Sequence, residues 1–522
     1  MHSHLYSFTR PAMSPPPPSP EKSKEELEAT VAVQGVQLER NFSFLAILGV
    51  SFSILNSWTA MSASLPLVLG SGGSIAMVWG LLVSALGTLA MGVSLAEVCH
   101  VLPLSGGQYD WSYVLAPDGW KERLSFIAGW NGTAGWVALS AAAPVLGSGF
   151  ISGLIALWNP EFAMQPWQFF LLFLAIALLA FVLNVFGVRA LPAIDRFAGT
   201  WSIVGFVVAS IVCLACADTF QKPKAVFATF TNVTGWPDGM AFILGLLQST
   251  FGLTAFDAAS HLVEEMPRPY IHAPRVMVLA IVLGAATSWV FMIVILFSLQ
   301  DFDTVLSATT GPLLQIYYQA TSSRVGATCL MMFNLVAMVL AGQGILTVSS
   351  RLVLTFARDR GLGPASLIAG VHPRLKAPVW CIVFVTVWVT AFGLINLGSS
   401  VTTNAILSSS VVFLQISYFI PIAIVFVRGA SAFGEHATHA KWSLGRWRRT
   451  INGIALAFVV VTTITFCFPP AIPVLSGTTM NWVVVVVALV WLFAGITWAI
   501  DGRTQFHGPK ALEERLEIAR AA

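Results

Sequence analysis

Polar side chains interrupt two apolar segments of this chain, and their types suit the binding of a small polar molecule. One interruption follows Leu55, and the other follows Leu247. If these segments cross a membrane, hydroxyl and amide groups in them must face protein or water rather than lipid. The candidate binding residues are Asn56, Trp58, Thr59, Ser62, Thr250, Phe251, Gly252, Thr254 and Asp257. For either segment alone, ordinary packing of Ser and Thr between helices is the alternative.

Ionisable residues inside or beside the apolar segments form a second group of candidates. Asp257 and His261 share one helix face because they are four residues apart. Asp257 could contact a substrate amine or carry a proton, or it could be a structural partner of a nearby helix. The pair is our candidate for proton coupling, with a structural hydrogen bond as the alternative for His261. For a gate or for structural ion pairs, the candidates are Glu97, Glu264, Glu265, Arg268 and Arg351.

The composition places these residues in a membrane protein. Of 522 residues, 56% are hydrophobic and only 10% are charged, whereas soluble domains carry roughly 25% charged residues. This balance excludes soluble enzymes and nucleic-acid binders. A membrane-crossing helix needs about 20 apolar residues. Charged residues are absent from seven long segments: 41–96, 124–160, 162–188, 276–300, 325–350, 377–427 and 450–500. The cysteines and histidines are scattered, and they predict no metal site and no membrane-enzyme constellation.

The apolar segments predict twelve spans that form an all-α integral membrane domain over residues 41–500. The predicted limits are 44–64, 74–97, 124–155, 167–187, 198–217, 240–262, 276–298, 325–355, 378–397, 404–427, 451–470 and 480–500. With the N-terminus inside, 24 of the 27 Lys and Arg residues fall on the inside, as cytoplasmic loops require. We therefore expect a disordered cytoplasmic tail over 1–40 and a cytoplasmic C-terminal tail over 501–522.

The two polar interruptions lie in the first and sixth predicted spans, five spans apart. Transporters that bind near the bilayer midplane use discontinuous helices at matching positions of two inverted halves. The pattern therefore predicts a five-plus-five inverted repeat in which helices 1 and 6 are broken. Three Asn-x-Ser/Thr sequons occur, and only the one at Asn232 falls outside on this topology, which makes it the candidate for glycosylation.

Four segments resemble the permeases of the amino acid–polyamine–organocation superfamily. AFDAASHLVEEMPRPYIHAPRVM (255–277) is similar to the span-6 signature, with Asp257 at its acidic position. SLAEVCHVLPLSGGQYDWSYVLAP (94–117), which follows GGSIAMVWG (72–80), resembles the end of span 2 and the loop after it. SSRLVLTFARDRGLGPASLIAGVHPRLKAPVW (349–380) resembles the end of span 8. NAILSSSVVFLQISYFIPIAIVF (404–426) resembles span 10 of the fungal branch that includes choline and 4-aminobutyrate permeases.

The resemblance implies a secondary active transporter that binds one small amine-bearing solute between spans 1, 3, 6, 8 and 10. The site offers one acid, several aromatic rings and no base, and this set of residues suits choline, 4-aminobutyrate and amino acids. Phe251 aligns with the aromatic that closes over substrate, and Trp58 stands at the matching position of span 1. Gly252, which follows Phe251, lacks a side chain, so we expect the backbone to leave helical geometry there. The chain departs from the family because span 1 lacks a Gly-x-Gly and span 5 lacks a Lys.

We expect proton-coupled import through the plasma membrane, driven by a proton gradient and without a cofactor. The expected partners are the solute and the lipid bilayer, with no nucleic acid, and the sequence does not indicate an oligomeric state. A transport-deficient nutrient receptor on a permease fold is the alternative function. A channel is disfavoured because the paired interruptions differ from a continuous polar pore.

Overall fold

The computed structural model describes residues 44–363, 365–395, 402–475 and 480–521, which form a bundle of helices. The predicted tail over 1–40 lies outside the described residues. The first eight principal helices are α1 Phe44–Leu55, α2 Ser57–Ala63, α3 Gly73–Val101, α4 Gln108–Leu115, α5 Lys121–Trp158, α6 Pro166–Phe186, α7 Leu191–Cys216 and α8 Asp238–Gly252. The remaining eight are α9 Phe256–Glu265, α10 Pro269–Ser298, α11 Arg324–Arg358, α12 Val379–Ile395, α13 Thr402–Arg428, α14 Arg448–Thr465, α15 Val483–Thr497 and α16 Leu512–Ala521.

Helices dominate because backbone groups in an apolar medium must be paired within their own segment. Among the described residues, nine helices are long and apolar enough to cross a membrane, and two shorter apolar helices cover Ile47–Ala63 and Val379–Ile395. Most helix bounds lie near the predicted limits, and the third predicted span, 124–155, is α5. Two starts were wrong: α7 begins at Leu191 rather than at 198, and α10 begins at Pro269 rather than at 276. The predicted class, an all-helical membrane protein, is confirmed.

The first predicted span is divided at Asn56 into α1 and α2. Asn56 has φ 41° and ψ 41°, which is left-handed backbone between two right-handed helices. Asn adopts this conformation more readily than most residues because its short polar side chain bonds locally. The break therefore lies at the start of the predicted polar patch.

The sixth predicted span is divided between α8 and the 3-10 helix α9. Ala255 carries the unusual backbone, with φ 76°, which is strained for a residue with a Cβ. We predicted that Gly252 allows the chain to leave helical geometry, and this is corrected. Gly252 is the last residue of α8, and a Cβ on it would lie 2.4 Å from Met61 Cγ. Its role is close contact with α2.

Small residues bring the long helix α5 close to its neighbours. A Cβ on Gly135 would lie 2.6 Å from Leu414 Cγ of α13, and one on Gly129 would lie 2.4 Å from Phe356 Cε2 of α11. Membrane helices use such small residues because close backbone approach maximises van der Waals contact. Helix α5 therefore joins α11 and α13 in the interior of the bundle.

The bundle has two ends with different side chains. We call one the basic end; there α3 ends at Val101, α5 begins at Lys121 and α11 ends at Arg358. At the opposite end, the turn before α3 pairs with residues that precede α8: Gly72 N donates to Thr231 O at 2.8 Å. The two broken helices run between these ends.

Candidate functional site

Trp58, directly after the first break, points away from the other broken helix. It is fully buried, and its indole nitrogen donates to Ser202 Oγ of α7 at 2.9 Å. Its ring meets Phe291 of α10 edge-on at a centroid distance of 5.1 Å and Phe206 of α7 at 6.4 Å. The structure thus packs Trp58 against α7 and α10, and its ring contacts with the described residues do not include Phe251.

The other candidates on the first broken helix are mostly paired within the bundle. Thr59 Oγ1 accepts from Asn334 Nδ2 of α11 at 3.3 Å, and the hydroxyl of Ser62 donates to the carbonyl of Trp58. Asn56 Oδ1 accepts a long hydrogen bond of 3.4 Å from Ser202 Oγ. The buried Asn56 Nδ2 and the hydroxyl of the adjacent Ser57 have no hydrogen-bond partners within the described residues, so both remain open at this break.

The candidates of α8 divide between helix packing and the break. Thr250 Oγ1 lies 3.2 Å from Ser84 Oγ of α3, and Thr254 Oγ1 donates to the carbonyl of Thr250 at 2.7 Å. These hydroxyls therefore pair within the bundle. Phe251 is buried, and its ring forms no aromatic contact with the described residues. Since Thr254 N donates to Phe251 O at 3.1 Å, the turn that ends α8 starts at this aromatic.

Asp257 accepts hydrogen bonds from two other helices and contacts His261 on its own helix. Gln108 Nε2 of α4 donates to its Oδ2 at 2.8 Å, and the Tyr418 hydroxyl of α13 donates to its Oδ1 at 2.7 Å. His261 Nε2 lies 3.1 Å from Oδ2, so the predicted i, i+4 pair is in contact. The carboxylate therefore joins α9 to α4 and α13, rather than facing an open space.

His261 continues this buried network towards the basic end. Its Nδ1 lies 3.0 Å from the carbonyl of Ser105, and the ring of Trp136 on α5 meets it edge-on at 5.7 Å. Because one ring nitrogen faces a carbonyl and the other a carboxylate, a proton on the imidazole has an acceptor on either side. Asp257 and His261 form a buried unit that can hold and orient a proton.

The acidic gate candidates find partners far away in the sequence. Glu97 Oε2 accepts from Arg448 Nε at 2.9 Å and its Oε1 accepts from Arg448 Nη2 at 2.8 Å, a bidentate pair. Glu265 Oε1 lies 3.2 Å from Arg351 Nε. Glu264 instead accepts from Ser105 Oγ at 2.5 Å. These contacts tie α3 to α14 and α9 to α11 at the basic end.

Arg268 does not take part in these ion pairs. It has φ 47° immediately before Pro269, where α10 begins, and it forms no ion pair with the described residues. Its role in the structure is the turn between α9 and α10. The cation that pairs with Glu265 is Arg351, which is 86 residues away.

Comparison with known proteins assigns most of the helical region to one family. Residues 42–491 match the amino acid permease family. The chain belongs to this family. A choline transporter of Saccharomyces cerevisiae is 34% identical over 494 residues, which cover 93% of this permease and 85% of the relative. A transmembrane transporter of Metarhizium robertsii is 28% identical, with coverages of 90% and 93%. An amino-acid permease of Arabidopsis thaliana is 27% identical, with coverages of 91% and 94%.

These matches confirm the resemblance to amino acid–polyamine–organocation permeases and the fungal branch. The permease is a multi-pass membrane transporter rather than an enzyme. Within the described residues, no group of three His, Cys, Asp or Glu side chains could hold a metal ion.

Several residues of the network were not singled out from the sequence. Gln108 lies inside a quoted motif, but its reach to Asp257 depends on how α4 folds back under α9. Tyr418 also lies inside a quoted motif, on the face of α13 that meets α9. Arg515 sits in a polar tail with no motif around it, yet it contacts Asp110 and Asp359.

The sequon residue Asn232 lies at the end opposite the basic end and is half-buried. Its Nδ2 donates to the carbonyl of Trp236 at 2.7 Å and to Asp238 Oδ1 at 2.9 Å. In the folded permease the atom that would carry a glycan is therefore engaged in two hydrogen bonds.

Proposed function

We propose that this permease is a secondary active transporter that imports a small amine-bearing solute together with a proton. Choline is the first solute to test, because the Saccharomyces cerevisiae choline transporter is similar over 93% of the chain. Amino acids and 4-aminobutyrate are the next. The membrane we propose is the plasma membrane.

The observation that carries this proposal is the juxtaposition of the two helix breaks. Gln248 Nε2 of α8 donates to the carbonyl of Met61 at 2.8 Å, and Gly252 leaves room for the Met61 side chain. The buried Asn56 Nδ2 and Gln248 Oε1 have no hydrogen-bond partners within the described residues. Broken helices offer backbone dipoles and side chains to a solute in the middle of the bilayer.

The charges of the broken helices favour a cationic or zwitterionic solute. Helices α1, α2, α8 and α9 contain no Lys or Arg, so they offer no permanent positive charge to a phosphate or a dicarboxylate. An ammonium group suits an aromatic face. We place Phe251 and Asn56 in contact with the solute. Trp58, Thr59 and Thr250 then support the site through the contacts described above.

For proton coupling we propose the Asp257–His261 unit. A protonated Asp257 carboxyl becomes a donor at one oxygen, and it then conflicts with one of the donors Gln108 and Tyr418. Loading a proton would therefore loosen α9 from α4 and α13. Since α9 is the part of the sixth span on the basic side of the break, this change links protonation to movement of the broken helix.

For the membrane topology we propose twelve spans in a five-plus-five inverted repeat. Helices α12 and α14 join the longer helices as spans, and α1–α2 and α8–α9 each form one broken span. The basic end is cytoplasmic because Lys and Arg concentrate in cytoplasmic loops. Both termini then lie in the cytoplasm.

Uptake of labelled solutes in a host that lacks its own choline and amino acid permeases tests the proposal. We expect saturable accumulation of one amine-bearing solute that rises with external acidity. Asp257→Asn serves as the inactive comparison, with membrane abundance measured for both proteins. Binding without uptake would support the receptor alternative, and uptake that requires sodium and ignores pH would exclude the proton coupling.

A further inference from the structure

The segment after the last predicted span folds back across the basic end. Phe506 is buried, and its ring lies 5.5 Å from that of Phe126 on α5 and 5.9 Å from that of Phe356 on α11. Gly508 follows with φ 81°, and a Cβ there would lie 2.2 Å from Tyr113 Cε2. Only glycine suits this position, because the backbone is left-handed and passes directly over Tyr113. The segment is therefore shaped to lie against α4.

Arg515 of α16 reaches into the basic end and contacts three side chains. Its Nη2 donates to Ser105 Oγ at 2.9 Å and to Asp110 Oδ2 at 3.3 Å, and its Nη1 lies 3.7 Å from Asp359 Oδ2. The Arg515 side chain is 20% exposed, while Asp110 and Asp359 are 0% and 3% exposed. The guanidinium thus supplies the positive charge next to two buried carboxylates.

The contacts of Arg515 join α4 and its preceding turn to the end of α11, which the proposed transport cycle must separate. Ser105 precedes α4 and donates to Glu264 of α9 at 2.5 Å. Asp359 follows α11, and it accepts from the Tyr109 hydroxyl at 2.8 Å and from Lys510 N at 3.0 Å. Arg515 therefore contacts α4 with its preceding turn and the end of α11 directly, and it is linked to α9 through Ser105.

We propose that α16 is a latch that holds the basic end closed, with Arg515 as its positioning residue. This inference rests on the proposed function, because a solute released into the cytoplasm must pass between α4, α9 and α11. One guanidinium cannot keep its contacts with both α4 and the end of α11 when these move apart. Release then requires that α16 detach from at least one of them.

Removing the latch should open the basic end rather than merely weaken the fold. Without Arg515, Asp110 and Asp359 become buried carboxylates that lack their cation, and a buried charge without its partner is strongly unfavourable. Separation of α4 from α11 relieves this by admitting water. Arg515→Lys retains the charge but loses the planar fork that spans several acceptors, so it should open the end less.

A buried reporter on α9 measures this opening without requiring transport. Ser260 is fully buried, and a Cβ on the overlying Gly107 would lie 3.3 Å from its Oγ. In a chain whose six cysteines are replaced, Ser260→Cys is labelled with a membrane-impermeant maleimide in inside-out vesicles. The variants compared are Arg515→Ala, Arg515→Lys and Gly508→Ala. Arg503→Ala is the matched control because it removes an exposed positive charge from the same tail.

We expect the thiol of Ser260→Cys to react several-fold faster in Arg515→Ala and Gly508→Ala, less so in Arg515→Lys, and unchanged in Arg503→Ala. If Arg515→Ala does not reach the membrane, Gly508→Ala carries the test alone, since it lifts the tail by collision with Tyr113. Equal labelling per molecule in the parent, Arg515→Ala and Gly508→Ala overturns the latch. Faster labelling without uptake of any amine would keep the latch and refute the transport function.

Discussion

The Tyr418 hydroxyl lies 2.7 Å from Asp257 Oδ1. This hydrogen bond joins α13 to α9, the second half of the broken sixth span, across 161 residues of sequence. Gln108 Nε2 of α4 holds the other carboxylate oxygen at 2.8 Å. A carboxylate held by donors on both oxygens is fixed in orientation. Asp257 therefore controls how α9 sits against two neighbouring helices.

Asp257→Asn should abolish most proton-driven uptake while the protein still reaches the membrane. The amide keeps the shape of the side chain but points an NH2 group at one of the existing donors, and it cannot take up a proton. Hydrogen bonds to charged groups contribute about 1.5–3 kcal/mol, so we expect uptake to fall at least about tenfold. Surface-normalised uptake across external pH is the measurement.

Tyr418→Phe is the graded comparison for this substitution. It removes one donor and leaves the carboxylate ionisable, so uptake should fall less than in Asp257→Asn and should remain pH-dependent. If Asp257→Asn retains the parental pH profile, coupling does not act through this carboxyl.

Phe251→Leu should raise the half-saturating concentration of the solute and leave membrane abundance unchanged. A cation against an aromatic face gains about 0.5–2 kcal/mol, which corresponds to about three- to thirty-fold in affinity. Phe291→Leu is the matched control, since Phe291 is a buried ring that contacts Trp58. Uptake by Phe251→Leu that equals the parent at every concentration contradicts the gate assignment.

Gly252→Ala should impair transport by pushing α8 away from α2. The added Cβ would lie 2.4 Å from Met61 Cγ and 2.9 Å from Met61 Cε, which is closer than atoms pack. Met61→Ala removes these atoms, so the double substitution should recover part of the uptake lost by Gly252→Ala. A double variant no better than Gly252→Ala would show that the contact with Met61 is not the cause.

The long apolar helices could be predicted from the sequence because length and apolar composition are local properties. The break in the first helix was also visible, since the polar patch that begins at Asn56 contains the residue that adopts left-handed backbone. In the sixth span the sequence pointed to Gly252, whereas the left-handed residue is Ala255. Tertiary contacts rather than intrinsic preference determine the backbone there.

The partners of the buried charges could not be read from the sequence. Asp257 and His261 were paired correctly because helical spacing is local. Glu97 pairs with Arg448 and Glu265 pairs with Arg351, and such contacts depend on which helices are neighbours. Arg515 had no signal at all, since a single Arg in a charged tail resembles any solvated residue.

Protonation of Asp110 and Asp359 should favour closure of the basic end as the pH falls, which is opposite in direction to the loosening of α9 that we propose for protonation of Asp257. Burial raises the pKa of Asp110 to about 7, although the Arg515 guanidinium opposes this shift, and burial also raises the pKa of Asp359. In water the pKa of a carboxyl group is about 4. A closed end therefore binds protons that an open and hydrated end releases, so closure is favoured at low pH and weakens as pH rises through about 7. The charged groups that face Asp110 are Arg515, Asp359 and Glu264.

The direction of this pH dependence is checked by maleimide labelling of the Ser260→Cys reporter. The labelling is done in inside-out vesicles between about pH 6 and about pH 8. Thiols react faster at high pH, so the rate is divided by that of an exposed reference, Thr504→Cys. We expect this ratio to rise with pH in the parent and to change less in Asp110→Asn. A ratio that falls with pH contradicts the linkage.

We propose that this permease accumulates a small ammonium solute by using a proton gradient. Uptake of labelled choline into liposomes that contain the purified protein tests it directly, with a proton gradient imposed across the membrane and sodium absent. We expect saturable choline accumulation that disappears when the proton gradient is dissipated and that is absent in Asp257→Asn. Choline uptake no greater than that of protein-free liposomes, with 4-aminobutyrate and amino acids equally excluded, would contradict it.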